Sequence, residues 1–376
     1  SGDVSSRGVS TTTVRVVNGV ADFGSLNYTL AGDHKVSFSD GTRTLVSSPF
    51  TITHAIASKL AWVTQPGSMR NDIVVGIAPS VRVLDAYNNP VVSGPTVTVS
   101  ASVIGSNASF ITAISGESAT TTSGTELVSF PNFKLKGKAS DYVIRISGSV
   151  SGTPFANDSR ISSAPIPLTF GLPSQIAITE EADGARAGVA FDTQPELEIR
   201  DNSDNLVADS TLRVTATVAG RTLLGTSAVS ASGGVVAFGD LGIQGSAANG
   251  LVIRYTTQYP AGTPLEATQT IDLTAGTSVK LSIIQQPGTV LTREEFDNDV
   301  SVQLLDQYDN PVPVDSTTNV SVQLFKGLSR ALATGGSTLT LTSVRASSGV
   351  ATFTGLTLPV EPGNDYFLKF TIGSFT

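Results

Sequence analysis

The side chains best suited to chemistry in this chain are oxygen donors crowded into short stretches. Asp201, Asn202, Asp204 and Asn205 place four within five residues, and Glu294-Glu295-Phe296-Asp297-Asn298-Asp299 is denser still. The chemistry this allows is calcium binding, because Ca2+ gathers about six to eight hard oxygens, often from several loops. Asp201, Asp204, Glu294, Glu295, Asp297 and Asp299 are the candidate ligands, and Ca2+ is the one cofactor the sequence raises. Neither stretch has EF-hand spacing, and no glycine-and-aspartate nonapeptide recurs.

The first stretch also belongs to a phrase written three times. Val83-Leu84-Asp85-Ala86-Tyr87-Asn88-Asn89-Pro90-Val91 returns as Ile199-Arg200-Asp201-Asn202-Ser203-Asp204-Asn205-Leu206-Val207 and as Leu304-Leu305-Asp306-Gln307-Tyr308-Asp309-Asn310-Pro311-Val312. Asp, Asn and Pro together specify a tight turn: the Asx side chain caps backbone N–H groups and Pro presets φ. Tyr87 and Tyr308 are expected at the rim. The turn is the plainer reading of these residues, and calcium is its rival.

Catalytic chemistry has little to draw on. There are no cysteines, which excludes a thiol nucleophile, and the two histidines, His34 and His54, are too few for an ordinary zinc site. No Gly-x-Ser-x-Gly elbow precedes a helix. The pair Glu180-Glu181 would need a second carboxyl brought close in space to act as a glycosidase. Gly233-Gly234 and Gly335-Gly336 read as turns, since no helix follows them. No enzyme is expected, and the catalytic set is none.

Asn27, Asn107, Asn157 and Asn319 each begin an Asn-x-Ser/Thr sequon and are candidate glycosylation sites in a secreting host. Trp62, the sole tryptophan, lies on an apolar-alternating strand and is expected in the core. No Lys–Asn pair recurs in a way that would mark an intramolecular crosslink. Lys134-Leu135-Lys136-Gly137-Lys138 alternates charge with apolar or small residues, which as a strand puts three ammonium groups on one solvated face.

The elements that position these residues repeat with the phrase, whose aspartates are 116 and then 105 residues apart. That is about one immunoglobulin-like sandwich. Each repeat opens on an alternating strand: Lys59-Leu60-Ala61-Trp62-Val63-Thr64-Gln65-Pro66, Gln175-Ile176-Ala177-Ile178-Thr179, then Lys280-Leu281-Ser282-Ile283-Ile284-Gln285-Gln286-Pro287. Pro ends the pairing, as expected of an edge strand that switches sheets. A later landmark begins at Gly19, Gly124, Gly234 and Gly349 and carries Phe23, Phe130, Phe238 and Phe353. An alternating stretch follows: His34–Phe38, Tyr142–Ile146, Leu251–Tyr255 and Tyr366–Phe370.

The late landmark occurs four times and the opening strand three times. The spacing therefore predicts the last strands of a module over 1–56, modules over 57–170 and 171–275, and a module over 276–376 whose last strand is incomplete. A window onto a longer array is expected, with residues 1–56 unstable alone. The junctions are short, so the array should be semi-rigid and extended.

Composition agrees. Charged residues are 14%, against about 25% in ordinary soluble proteins, so Ser, Thr, Asn and Gly must supply the polar surface. A net charge of −8 argues against nucleic acid, which requires clustered cations. No apolar run is long enough to span a membrane. Ser1–Thr13 lacks the apolar region of a signal peptide, so targeting and anchoring segments are expected outside this stretch.

The Gln-Pro after the opening strand, the Leu-Asp-x-Tyr-x-Asn-Pro-Val turn and the Gly-Val-Ala-x-Phe-x-x-Leu strand resemble bacterial Ig-like repeats. These belong to the invasin, intimin and filamin-like group of tandem sandwiches in large surface proteins. Residues 171–275 depart from the pattern, lacking the Pro after the opening strand and the Tyr and Pro of the turn. The resemblance implies an all-β fold of tandem immunoglobulin-like β-sandwiches arranged as an extended rod. It implies a structural, non-catalytic segment of a cell-surface or extracellular stalk, filament or S-layer. The alternative is an adhesin module, stiffened by Ca2+, that recognises a glycan or protein receptor. Expected partners are other copies or further repeats of the same long protein, a surface receptor or a glycan, with no nucleic acid and no membrane span.

Overall fold

The computed structural model describes residues 3–4, 12–24, 26–122, 124–156, 159–259, 264–291, 294–326, 331–332, 339, 342–357 and 366–373. The described residues are almost wholly strand and turn. Helical structure among them is confined to 3-10 turns, such as Ser106–Phe110. None of their helices is long and apolar enough to cross a membrane. The chain divides into two compact units, Ser1–Leu172 with Asp201–Asn205, and Pro173–Arg200 with Leu206–Thr376.

In the first unit, residues 12–56 form short ladders, Gly32–His34 with Phe50–Ile52 and Ser37–Ser39 with Thr44–Val46. They leave Leu45, Val46 and Phe50 exposed. A full sandwich follows. One sheet orders Leu127–Ser129, Ser80–Asp85 and Ala57–Thr64. The other orders Ser118–Thr120, Val97–Ile104, Ser140–Val150 and Ile166–Thr169, with Met69–Arg70 added in parallel.

The alternation seen in the sequence builds this core. Val97, Val99 and Ala101 point inward from one strand, and Tyr142, Ile144 and Ile146 from its neighbour. Phe130 and Phe133 meet edge to face, centroids 6.4 Å apart. Trp62 packs half-buried against this core and donates its Nε1–H to the Ser162 carbonyl at 3.1 Å. The opening strand does switch sheets across Pro66: Ala57–Thr64 pairs with Ser80–Asp85, and Met69–Arg70 with Leu168 and Thr169.

The second unit repeats the order. Gln175–Glu180, Glu196–Arg200 and Val235–Ala237 face Ala228–Ser230, Arg213–Val218, Ala248–Thr257 and Leu265–Leu273. Leu197, Ile199, Val236, Ile253 and Tyr255 are fully buried between them. Burial of Tyr255, together with the Glu181 charge, raises its phenol pKa, and its O–H donates to Gln269 at 3.0 Å. A further pair of sheets sets Lys280–Gln285, Val300–Leu305 and Val350–Phe353 against Ser343–Arg345, Asn319–Lys326 and Tyr366–Ile372. First, second and fifth strands in one sheet, with the third and sixth central in the other, is the immunoglobulin order.

These cores are close-packed, so cutting one side chain leaves a cavity that only partly relaxes. Leu197→Ala should lower unfolding free energy by about 2–5 kcal/mol, measured by urea titration. Val252→Ala, on a side chain 43% exposed, should shift the midpoint little.

Candidate functional site

The thrice-written phrase forms three near-identical turns around buried carboxylates. Asp85 and Asp201 are 0% exposed and Asp306 is 1% exposed. In each turn Oδ1 accepts the backbone N–H two and four residues on. These are Tyr87 and Asn89 at 2.8 and 2.9 Å, Ser203 and Asn205 at 2.8 and 3.0 Å, and Tyr308 and Asn310 at 2.8 and 3.0 Å. The residue before the Asn takes a left-handed conformation, with φ of 68° at Asn88, 62° at Asp204 and 64° at Asp309. Asn and Asp tolerate that region best among residues with a side chain.

Oδ2 reaches beyond the turn. It accepts the backbone N–H of Ala55 at 2.9 Å, Gly171 at 2.7 Å and Gly276 at 2.8 Å. It also accepts the side-chain N–H of Asn89, Asn205 or Asn310. Each of those asparagines then reads a stretch of backbone far away in sequence. Its Nδ2 donates to the carbonyl of Thr29, Gly137 or Gly245, at 2.6, 3.0 and 3.1 Å. Its Oδ1 accepts the N–H of Ala31, Ala139 or Ala247, at 3.0, 2.8 and 2.7 Å. Carbonyl and N–H sit two residues apart every time, and the N–H always belongs to alanine.

The electrostatics follow from these contacts. Burial disfavours a carboxylate, but hydrogen bonds to its charged form outweigh that cost here. Burial is the largest single influence on Asp85, Asp201 and Asp306. The N–H donors nevertheless hold all three below the ordinary value of 3.8. Asp315 is lowered too. Burial is again the largest influence, overcome by the Ser278 and Thr318 side chains and the Thr317 and Thr318 backbone N–H groups.

Glycine is required where Asp201 and Asp306 grip the following segment. A Cβ on Gly171 would lie 2.4 Å from the Asn71 carbonyl oxygen, and one on Gly276 2.3 Å from that of Ala187. The Asp201 turn, which lacks Tyr and Pro, gains another partner. Asn71 donates to Asp201 Oδ2 and Asn202 Oδ1 and accepts from Gly137 N–H and Ser203 Oγ.

The candidate calcium ligands therefore sit in unlike surroundings. Asp201 takes five N–H donors, and Asp204 is paired with Lys138 at 2.9 Å. Glu294, Glu295, Asp297 and Asp299 are exposed, and Asp297 accepts the Thr289 hydroxyl. Among the described residues, no three His, Cys, Asp or Glu side chains gather closely enough to hold a metal ion.

Other residues are placed as follows. Glu180 and Glu181 line an open cleft of about 790 Å³ with Asp183, Asp272 and the ion pair Arg186–Asp192. His34 bonds the Leu30 carbonyl, and His54 lies between the Ala55 carbonyl and Ser93 Oγ. Asn27 and Asn319 are exposed. Asn107 spends its amide on Ser140 at 2.8 Å, and Asn157 lies outside the described residues. The lysine face expected over 134–138 is partly ion-paired, Lys134 to Asp72 and Lys138 to Asp204. Tyr87 is 56% exposed, while Tyr308 lies half-buried beside Gly188.

No family model matches the chain, and no curated protein matches it. Solved structures do. The Escherichia coli adhesin FdeC is 17% identical, with a TM-score of 0.31 over 82% of this chain and 91% of its own. Invasin, a bacterial integrin-binding protein, is 14% identical, with a TM-score of 0.32 over 86% of this chain and 60% of its own. The protocadherin gammaB7 EC3-6 cis-dimer structure is 11% identical, with a TM-score of 0.34 over 85% of this chain and 75% of its own. These likenesses concern the fold alone.

Two outcomes are expected at the turns. Asn310→Ala orphans the Ala247 N–H and the Gly245 carbonyl and should cost about 1–3 kcal/mol in urea titration. Asn310→Asp should cost more, since it sets a second carboxylate against Asp306. Because the three aspartates are depressed in the folded state, their stabilisation is complete above their unfolded value. It is lost as pH falls through their lowered folded values. Urea midpoints should hold between pH 7 and about pH 5 and drop below pH 4, with a shallower drop in Asp306→Asn.

Proposed function

We propose that this chain is a structural, non-catalytic run of immunoglobulin-like modules in a cell-surface or extracellular stalk or filament. The turns at Asp85, Asp201 and Asp306 are its couplers. The modules run over 1–56, 57–170, 171–275 and 276–376. The observation that carries this reading is the same bonding at all three turns. In each, the buried aspartate and asparagine spend their hydrogen bonds on the protein itself. Within the first unit Asp85 and Asn89 hold residues 29–31 and 55, and within the second Asp306 and Asn310 hold residues 245–247 and 276. Such coupling suits a part that transmits tension.

Single-molecule pulling on the whole chain tests it. A structural array should unfold in discrete events, each releasing roughly 35 nm for a module of about 100 residues. Asn89→Ala should soften the response without abolishing the events. A featureless extension would overturn the reading. Saturable binding of a glycan or purified receptor would move the assignment to the adhesin alternative.

A further inference from the structure

Asn-Gly occurs twice in this chain, at Asn18-Gly19 and Asn249-Gly250. It is the dipeptide at which a polypeptide most readily modifies itself. Glycine has no side chain to shield its nitrogen or restrict its backbone, so that nitrogen can reach the neighbouring carboxamide. Both pairs are exposed, yet the fold treats them differently.

Asn18 and Gly19 are the central residues of a hairpin turn, with φ of 53° and 80°. Val17 and Val20 close it with two hydrogen bonds, at 2.9 and 3.0 Å. Positive φ at both centres is the type I′ pattern that Asn-Gly favours. Val16, Val17 and Val20 are 60%, 63% and 64% exposed, so little packing holds the turn shut. No described residue accepts the Gly19 N–H.

Asn249 and Gly250 sit instead in a bulge of a long ladder. Ala248 pairs with Leu273 and Leu251 with Ile271, so the two residues together oppose Asp272. Gly250 takes a φ of 67°, the left-handed conformation that glycine supplies at such a bulge. Its N–H donates to Asp272 Oδ1 at 2.7 Å. Gly250 and Asp272 also line the cleft that holds Glu180, Glu181 and Asp183. This nitrogen therefore lies among carboxylates, where losing a proton to become an anion is disfavoured.

We propose that Asn18 is a site of spontaneous deamidation and that Asp272 guards Asn249 against the same reaction. The reaction needs only water. The glycine nitrogen gives its proton to water or hydroxide and attacks the asparagine Cγ. A C–N bond forms, and the Cγ–Nδ2 bond breaks as the amide nitrogen takes up a proton and leaves as ammonia. Water then opens the succinimide at either carbonyl, leaving aspartate or isoaspartate. Asp272 acts on the first move. Its carboxylate holds the N–H whose proton must depart, and the flanking ladder pairs hold the backbone that must turn.

The test incubates the whole 376-residue chain in warm neutral buffer and follows both sites by peptide mapping with mass spectrometry. Isoaspartate is read separately, as methyl transfer by an isoaspartyl methyltransferase. Asn18 should convert steadily while Asn249 stays intact. Asp272→Ala should raise conversion at Asn249 by about tenfold, the scale of one hydrogen bond to a charged group, and leave Asn18 unchanged. Asp272→Asn, which keeps an acceptor without the charge, should fall between. Circular dichroism checks that each variant is folded. Equal conversion at the two sites in the parent chain, or no conversion at Asn18, would overturn the proposal. So would an Asn249 that stays intact, or converts more slowly, in the folded Asp272 variants.

Discussion

Three carboxylates buried among backbone and side-chain N–H donors set the terms for the rest of this chain. A charge taken out of water must be repaid by groups that favour its ionised form. Here those groups are N–H dipoles. Oδ1 of each aspartate fixes the turn that follows it, which forces a left-handed residue at Asn88, Asp204 or Asp309. Oδ2 fixes the segment that precedes the sandwich, through Ala55, Gly171 or Gly276. One side chain thus orders two stretches of backbone about thirty residues apart. Losing either leaves an under-satisfied buried anion, the expensive side of hydrogen-bond energetics.

Asparagine completes the device for a reason specific to its amide. One planar group must donate to a carbonyl and accept from an N–H two residues further along. Aspartate cannot donate, alanine does neither, and glutamine would overshoot by a methylene. Because the asparagine reads only backbone, the residues it reads need not be conserved in type. The alanines at 31, 139 and 247 are small enough for the turn to approach closely. The turn at Asp201 keeps the same bonding although Ser203 and Leu206 stand where the other two have Tyr and Pro. The carboxylate and the amide persist, and Asn71 adds bonds of its own.

Much of the fold was legible in the sequence because its signals are local. Period-two alternation marked Val97–Ile104 and Ser140–Val150, and Pro66 marked the place where the opening strand changes sheets. The turn itself was legible from Asp, Asn and Pro. Its reach was not, because the backbone read by Asn89, Asn205 and Asn310 lies 58 to 68 residues upstream in chain order. Nothing about Thr29-Leu30-Ala31 or Gly245-Ser246-Ala247 distinguishes it from other polar loop sequence. Local alternation did place Lys134 and Lys138 on the side away from buried Leu135 and Gly137, but could not reveal their pairing with Asp72 and Asp204, which come from distant loops.

The two oxygen-rich stretches show why crowding of carboxylates is a poor guide by itself. Asp201-Asn202-Ser203-Asp204-Asn205 and Glu294–Asp299 look alike as strings, yet they solve opposite electrostatic problems. In the first, Asp201 is drawn inward onto five N–H donors, while Asp204 stays exposed and pairs with the Lys138 ammonium. The second stays in water, which solvates its charges at little cost, and Glu295 contributes backbone to a bridge with Thr357. What separates them is the supply of donors from elsewhere in the chain, a tertiary quantity. A buried carboxylate with an asparagine four residues on is what these three turns share, and the asparagine, whose amide reads distant backbone, is the more diagnostic half of the pair.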